Sequence, residues 1–140
     1  MNDRQFTILC SLITFILSLF SSLLIKAYDN SKAKKKQKYN EFYREFYIIW
    51  NKIHQGRAYD FTDLKKADRE SVVDFLLEHY YYASKKLQIL IYELKTARLD
   101  NFGNNNSENK RICNQCYREI IGYMTDKEQK YRKKYNNINY

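Results

Sequence analysis

The first hydrophobic stretch of the chain covers residues 5–25, contains no charged side chain and reads QFTILCSLITFILSLFSSLLI. An α-helix needs about 20 apolar residues to cross a bilayer core about 30 Å thick. A signal peptide has a shorter apolar region, of about 7–15 residues, and small residues at its cleavage site. This stretch is longer, and the sequence at its end, LLIKA (residues 23–27), is a poor cleavage site. The pattern therefore predicts a retained transmembrane anchor over residues 5–25.

After the anchor, apolar residues recur every three or four positions, which is the spacing of one side of an α-helix. The first such row predicts a helix over about residues 36–55. It consists of Tyr39, Phe42, Phe46, Ile49 and Ile53. No Gly or Pro lies between residues 5 and 55, so the pattern leaves open whether this helix continues the anchor or is separated from it near residues 29–31.

A second row of apolar residues has the spacing of a heptad repeat, which is typical of coiled coils. It consists of Val73, Leu76, Tyr80, Ala83, Leu87, Leu90, Leu94 and Ala97. The row predicts a single helix over about residues 68–99. Its apolar seam is one candidate surface for a protein partner.

The clearest loop is the segment DNFGNNNSEN at residues 100–109. A third row beyond it predicts a helix over about residues 108–135, and consists of Cys113, Tyr117, Ile120, Met124, Tyr131 and Tyr135. The predicted fold is all-α: the anchor, a helical domain at residues 39–135 and a tail at residues 136–140. We expect the domain to be a three-helix up-down-up bundle or a coiled-coil-like hairpin. In the up-down-up arrangement the C-terminus lies far from the membrane and the Asn-rich loop lies close to it.

Composition supports helices and locates the charge. The 140 residues include no Pro and 3 Gly, which argues against a turn-rich β-sandwich or barrel. Lys and Arg number 25 against 16 Asp and Glu, a formal net charge of +9. The excess lies in two short segments, residues 26–38 and residues 127–134, and the residues between them are balanced in charge.

Residues 26–38 form a basic juxtamembrane segment. Its lysines are Lys26, Lys32, Lys34, Lys35, Lys36 and Lys38. Lysine-rich flanks of a membrane helix stay in the cytoplasm, and anionic lipid attracts each nearby lysine by about 1 kcal/mol. We therefore expect a single-pass protein of the cell membrane, with the N-terminus outside, the domain in the cytoplasm and these lysines at the anionic inner leaflet.

The second basic segment lies near the C-terminus. Its basic residues are Lys127, Lys130, Arg132, Lys133 and Lys134. One interpretation is a solvated helix end, where basic residues complement the helix dipole. The other is a binding patch for an acidic partner or a nucleic acid. Nucleic acid is the less favoured partner, because no recognised nucleic-acid-binding fold is indicated.

Few residues of the sequence are candidates for chemistry. Cys113 and Cys116 form a C-x-x-C motif, but a structural zinc site needs four ligands, and His54 and His79 stand alone on separate predicted helices. Cys113 also lies on the apolar row, where cysteine packs as a small hydrophobe. Packing is the favoured interpretation, with a metal shared across a dimer or a redox pair as alternatives. No catalytic motif is present, so we expect no enzyme activity and no cofactor.

Hydroxyl residues recur within the anchor. Ser11, Thr14, Ser18 and Ser21 follow at three- and four-residue spacing and share one side of the helix. Small polar residues let two membrane helices approach and bond to each other, so this row predicts self-association. The alternative is that each hydroxyl bonds a carbonyl of its own helix and needs no partner.

The stretch RAYDFTDLKKADRESVVDFLLE, residues 57–78, resembles small bacterial single-pass membrane proteins that have an N-terminal anchor and a helical cytoplasmic domain of unknown function. The resemblance implies that class and no activity.

The function expected from the sequence is that of a non-enzymatic, membrane-anchored helical module that binds a protein partner in the cytoplasm, alone or as a homodimer. One alternative is a small membrane-active protein of a phage or other mobile element. Another is a membrane-tethered binder of nucleic acid or of an acidic partner, through residues 127–134.

Overall fold

The computed structural model describes residues 3–55, 57, 60–100 and 107–136, and these residues form helices and turns with no strand. The prediction of an all-α protein with one long apolar helix at its N-terminus is confirmed. The α-helices are α1 (Asp3–Lys38), α2 (Glu45–His54), α3 (Lys66–Glu78), α4 (Lys85–Asp100) and α5 (Ser107–Asn136). A π-helical turn covers Tyr39–Arg44, and 3₁₀ turns cover Phe61–Asp63 and Tyr80–Tyr82. The central part of the predicted Asn-rich loop, residues 101–106, and residues 137–140 of the predicted tail lie outside the described residues.

The chain divides into two units at the bond between Gln37 and Lys38. The first unit consists of most of α1, whose side chains from residue 5 to residue 37 are all exposed. Its large apolar side chains are among the most exposed of the chain, for example Phe20 at 62% and Leu24 at 70%. In the described part of the chain, one helix is long and apolar enough to cross a membrane by length and composition, and it spans Gln5–His54.

The first predicted helix of the domain begins with a π-helical turn. Helical backbone continues from α1 through this turn into α2 without a gap, which answers the question of continuity that the sequence leaves open. A π-turn has a wider hydrogen-bond spacing than an α-helix, and here it buries Tyr39, Phe42 and Tyr43 together. Gln55 ends α2 in the left-handed region, at φ 46°.

The single helix predicted over residues 68–99 is wrong, because α3 ends at Glu78 and α4 begins at Lys85. The intervening chain forms a 3₁₀ turn, and the backbone of Ala83 is extended. Ser84 then accepts a hydrogen bond from the Leu87 N–H, 3.4 Å away, as a helix N-cap does. The heptad spacing continues across the break because both helices turn their apolar sides to the same core.

The helices of the domain alternate in direction. Phe75, near the end of α3, packs against Phe42 of the π-turn, with ring centroids 6.2 Å apart. The main neighbour of α4 is α5. Tyr117 of α5 lies 5.9 Å from His54 at the end of α2, and Tyr131 lies 6.1 Å from Tyr39. The helix α5 therefore runs opposite to the stretch from the π-turn to α2.

These contacts correct the predicted arrangement of three helices. Four helical stretches replace three, because the chain reverses once more between α3 and α4. The C-terminal end of α5 consequently lies beside Tyr39, where the domain begins, and not at the far end of the domain. The end of α4 and the start of α5 lie at that far end instead.

Candidate functional site

The hydroxyl row of the anchor is bonded within its own helix. Each hydroxyl donates to a carbonyl three or four residues earlier: Ser11 to Ile8 at 2.8 Å, Thr14 to Cys10 at 2.8 Å, Ser18 to Phe15 at 3.2 Å and Ser21 to Leu17 at 2.9 Å. This geometry favours the second interpretation of the row. Self-association through it stays a prediction.

The juxtamembrane lysines divide between the two units. The side chains of Lys26, Lys32, Lys34, Lys35 and Lys36 are exposed on α1. Lys38 is half-buried and belongs to the domain. Its ammonium lies 5.7 Å from the centroid of the Tyr43 ring, which is a cation–π distance.

The basic segment at residues 127–134 is an ordered part of the fold. It lies within α5, whose Tyr131 and Tyr135 pack against Tyr39. Lys127 lies over the ring of Tyr123 at 5.4 Å, and Lys134 lies over the ring of Tyr135 at 5.8 Å. The two tyrosines that interleave with these charges are therefore packing residues.

Glu128 is a buried carboxylate that sequence reasoning missed. Its side chain is 3% exposed, and its Oε1 lies 3.6 Å from Nε of Arg132. Burial, followed by the charge of Glu128, raises the pKa of Tyr39. The signal was present in the sequence, since Glu128 falls between Met124 and Tyr131 at the spacing of the apolar row. Arg132 is consequently engaged in an ion pair. We therefore do not count it with the lysines of this segment as a cation that is available to a binding partner.

The other basic residues of this part of the domain, which we call the basic face, are Lys38, Lys127, Lys130, Lys133 and Lys134. Three of the four on α5, at positions 127, 130 and 134, recur at the spacing of one helix side. The end of α5 packs on Tyr39, the residue after Lys38, so the whole basic face lies at the end of the domain where the chain leaves α1.

The two cysteines of the C-x-x-C motif are buried. Cys113 and Cys116 are 1% and 4% exposed. Burial, assisted by a hydrogen bond to Glu93, raises the pKa of Cys116 to about 12, so the nucleophilic thiolate is scarce at neutral pH. No group of three or more His, Cys, Asp or Glu side chains among the described residues is placed to hold a metal ion. The geometry favours the packing interpretation.

The two histidines have separate partners within the described chain. His54 is buried, and its Nε2 lies 2.7 Å from the Tyr117 hydroxyl while its Nδ1 lies 2.9 Å from the Arg57 carbonyl. His79 Nδ1 lies 3.0 Å from the carbonyl of Phe75, one helical turn earlier. Both are placed as structural residues at the ends of helices.

The predicted seam of residues 73–97 is buried inside the domain, which corrects its assignment as a partner surface. Only Tyr80, at 38%, is exposed among its members. The exposed apolar residues of α4 are instead Ile89 at 59% and Tyr92 at 65%. They are three residues apart and therefore adjacent on one helix side.

A cavity of about 380 Å³ lies at the far end of the domain, between the Phe61–Asp63 turn, the start of α3, the end of α4 and the start of α5. Its charged lining residues are Lys66, Arg69, Arg98, Lys110, Asp63 and Glu70. The turn that forms one wall is held to α5, because the Asn114 side chain exchanges two hydrogen bonds with Thr62, at 3.1 and 3.2 Å. Sequence reasoning missed this cavity, since its residues come from four separate segments.

Comparison with protein families, curated proteins and solved structures finds no match for this chain. The resemblance of residues 57–78 to small bacterial membrane proteins therefore stays a prediction. In this chain the stretch supplies the Phe61–Asp63 turn, which forms a wall of the cavity, and the helix α3.

Proposed function

We propose that this protein is a non-enzymatic, single-pass membrane protein whose helical domain docks on the anionic cytoplasmic leaflet and binds a protein partner there. The observation that carries the proposal is the position of the basic face. The second cluster of positive charge lies beside Tyr39, at the end of the domain that is closest along the chain to the anchor. The positive charge of each cluster suits an anionic surface.

The membrane span rests on the exposed apolar surface of residues 5–25. None of the most apolar part of this helix is buried against other residues of the chain. Exposure of apolar surface to water costs about 25 cal/mol per Å², so a helix of this kind is stable only when lipid or protein covers it. The lysines that follow favour a cytoplasmic domain.

The basic face reaches the leaflet only under a geometric condition. Residues 26–38 span about 20 Å as an α-helix, whereas charges are screened beyond a Debye length of about 8 Å at physiological ionic strength. The segment must therefore lean toward the membrane for Lys38 and the end of α5 to contact lipid headgroups. Five exposed lysines on the segment itself favour this tilt when the lipid is anionic.

The test uses the full chain in lipid nanodiscs. Trp50 is the only Trp of the chain, so energy transfer from it to a dansyl-labelled lipid headgroup reports how closely the domain approaches the bilayer. We expect transfer to be higher in nanodiscs with anionic lipid than in zwitterionic ones. The difference should vanish near 1 M salt, where the Debye length falls to about 3 Å.

A matched pair of variants assigns the effect to the basic face. Lys127→Gln, Lys130→Gln and Lys134→Gln together should lower the transfer in anionic nanodiscs toward the zwitterionic level, and by more than the control below does. The control replaces three exposed lysines of α4, Lys85, Lys86 and Lys95, by Gln and removes the same charge elsewhere. Equal transfer in both variants contradicts docking through the basic face.

For the protein partner, the proposed surface is the exposed pair Ile89 and Tyr92. Tyrosine is enriched at protein interfaces, and the centre of an interface is apolar. Cross-linking in membranes, followed by capture of the full chain, should recover a partner that Ile89→Asp with Tyr92→Asp no longer recovers. The control is Ile48→Asp, at an exposed isoleucine of α2; loss of the same partner there contradicts the assignment.

An acidic macromolecule is the second candidate for the basic face, and the charge of residues 127–134 favours it for the same reason. The nanodisc experiment separates the two. If duplex DNA or single-stranded RNA displaces the domain from anionic nanodiscs at low concentration, the basic face is a nucleic-acid site and the lipid proposal is wrong. Weak competition that disappears with moderate salt leaves lipid as its ligand.

A further inference from the structure

The cavity at the far end of the domain is open to solvent on one side and has an excess of basic side chains in its lining. Four basic side chains line it against two acidic ones. One acid, Glu70, is already paired with Lys66 across 3.9 Å. One base, Arg69, donates from Nη1 to the carbonyl of Thr62 at 3.0 Å and so holds the wall of the cavity. The other two basic residues of the lining, Arg98 and Lys110, take part in neither of these two contacts.

Arg98 is the central observation. Its Nε and Nη1 atoms are shielded from solvent, and no hydrogen-bond acceptor of the described residues reaches them. An arginine stays protonated in proteins and has no acceptor of its own, and a buried donor without a partner is costly. No carboxylate of the described chain lies within ion-pair distance of this guanidinium. These donors therefore have no acceptor among the described residues of the chain.

We propose that this cavity binds a small, soluble, phosphate-bearing molecule. The planar fork of a guanidinium matches two oxygens of a phosphate, and such charge-assisted hydrogen bonds are short and strong. Arg98 turns its guanidinium, whose Nε and Nη1 are shielded from solvent, toward the phosphate. Lys110 adds positive charge from the exposed rim.

The size of the cavity indicates the rest of the ligand. Its volume of about 380 Å³ lies in the range of small-molecule sites, about 300–1,000 Å³. Inorganic phosphate alone leaves most of this space unfilled. The ligand therefore carries an organic part, for which Phe61 offers an apolar wall and Thr62 a polar one.

The position of the cavity argues for a soluble ligand and against a lipid headgroup. Cys113 lines the cavity, and Tyr131 packs beside the basic face. Both residues belong to α5, and helix geometry separates them by about 27 Å. The cavity is thus at the opposite end of the domain from the surface that we propose for lipid, and this inference does not depend on that proposal.

The test is a thermal titration of the full chain in zwitterionic detergent micelles, with Trp50 fluorescence as the readout. Inorganic phosphate and pyrophosphate are the probes, and sodium chloride at equal ionic strength is the blank. A ligand that binds the folded state alone raises the melting midpoint. We expect a rise of roughly 4–8 °C when the probe concentration exceeds its Kd about fivefold.

Arg98→Met removes the guanidinium and keeps the aliphatic stem, so it should abolish the response to both probes. The matched control is Arg44→Met, at an exposed arginine of the π-turn, which should respond like the wild type. Lys110→Gln is at an exposed position on the rim and does not disturb the core. It should weaken the apparent affinity for pyrophosphate roughly fivefold, the effect of a single exposed charge.

Broadening of the phosphorus NMR signal of each probe gives a second readout that does not rely on melting. If the wild type responds to neither probe in either measurement, the cavity holds water alone and the proposal is wrong. An equal response in wild type and Arg98→Met places the phosphate elsewhere and also overturns it. If Arg98→Met does not fold, Lys110→Gln decides, because an unchanged affinity in that variant excludes the cavity as the site.

Discussion

The Tyr117 hydroxyl and His54 Nε2 lie 2.7 Å apart in the core and join α5 to the last residue of α2. The contact also determines the tautomer of a neutral His54. Its Nδ1 faces the Arg57 carbonyl at 2.9 Å, which only accepts, so Nδ1 carries the proton and Nε2 accepts from Tyr117. Burial raises the pKa of Tyr117, which keeps its hydroxyl available as the donor.

Tyr117→Phe should therefore destabilise the domain. The ring is retained, but Nε2 of His54 loses the hydroxyl that donates to it in the core, a loss of about 1–3 kcal/mol. Urea unfolding of the full chain in micelles, followed by Trp50 fluorescence, measures it. Tyr92→Phe, at an exposed position, should change the free energy of unfolding by less than about 0.5 kcal/mol. Equal urea midpoints for the two variants contradict the prediction.

Alkaline pH should destabilise the domain. Burial, with the hydrogen bond to Glu93, raises the pKa of Cys116 from 9.0 to about 12. Between these values the unfolded chain has lost a proton that the folded domain keeps, so rising pH favours unfolding. The stability from this group is fully present below about pH 9 and is lost as pH rises toward about 12. Melting midpoints across this interval test it, and Cys116→Ala should show a smaller fall than the wild type.

The Glu128–Arg132 pair should respond asymmetrically to substitution. Glu128→Gln removes a buried charge and keeps an acceptor, so we expect a change within about 1 kcal/mol. Arg132→Ala leaves the carboxylate buried without its partner and should cost about 1–3 kcal/mol. Urea unfolding of both single variants and of the double variant measures the coupling. If Arg132→Ala is as stable as the wild type, the buried carboxylate does not depend on this ion pair.

Substitution of the hydroxyl row should leave any self-association of the anchor unchanged. Thr14→Leu with Ser18→Leu removes hydroxyls that already donate within α1, at 2.8 and 3.2 Å. A membrane two-hybrid comparison with the native anchor tests this expectation. Loss of association in the double variant would show that the hydroxyls bond across an interface.

The lysines of the juxtamembrane segment should set the orientation in the membrane. A C-terminal reporter that is active only outside the cytoplasm should stay silent, because lysine-rich flanks are retained inside. Replacing Lys32, Lys34, Lys35, Lys36 and Lys38 by Gln should weaken this bias and produce some reporter activity. Full activity in the native chain means the opposite orientation.

The sequence alone determined the helices and the location of their charge. Apolar spacing is a local property, so the rows that begin at Tyr39 and Cys113 predict their helices closely, and α5 covers Ser107–Asn136 against a predicted 108–135. The same property explains the error at residues 79–84. Heptad spacing indicates only that successive apolar residues face the same core. Two short helices joined by a turn can satisfy this condition as well as one long helix does.

Only the tertiary structure determined which helices and residues are neighbours. The reversal after Glu78 changes the direction of α5 relative to the π-turn and so brings Tyr131 and the basic face to Tyr39. It also gathers Arg69, Arg98 and Lys110 from three helices around one cavity. Such contacts join residues far apart in the chain, and they depend on which sides of the helices pack together. Local spacing carries no information about that choice, because the packing energy that settles it arises only when the whole core is assembled.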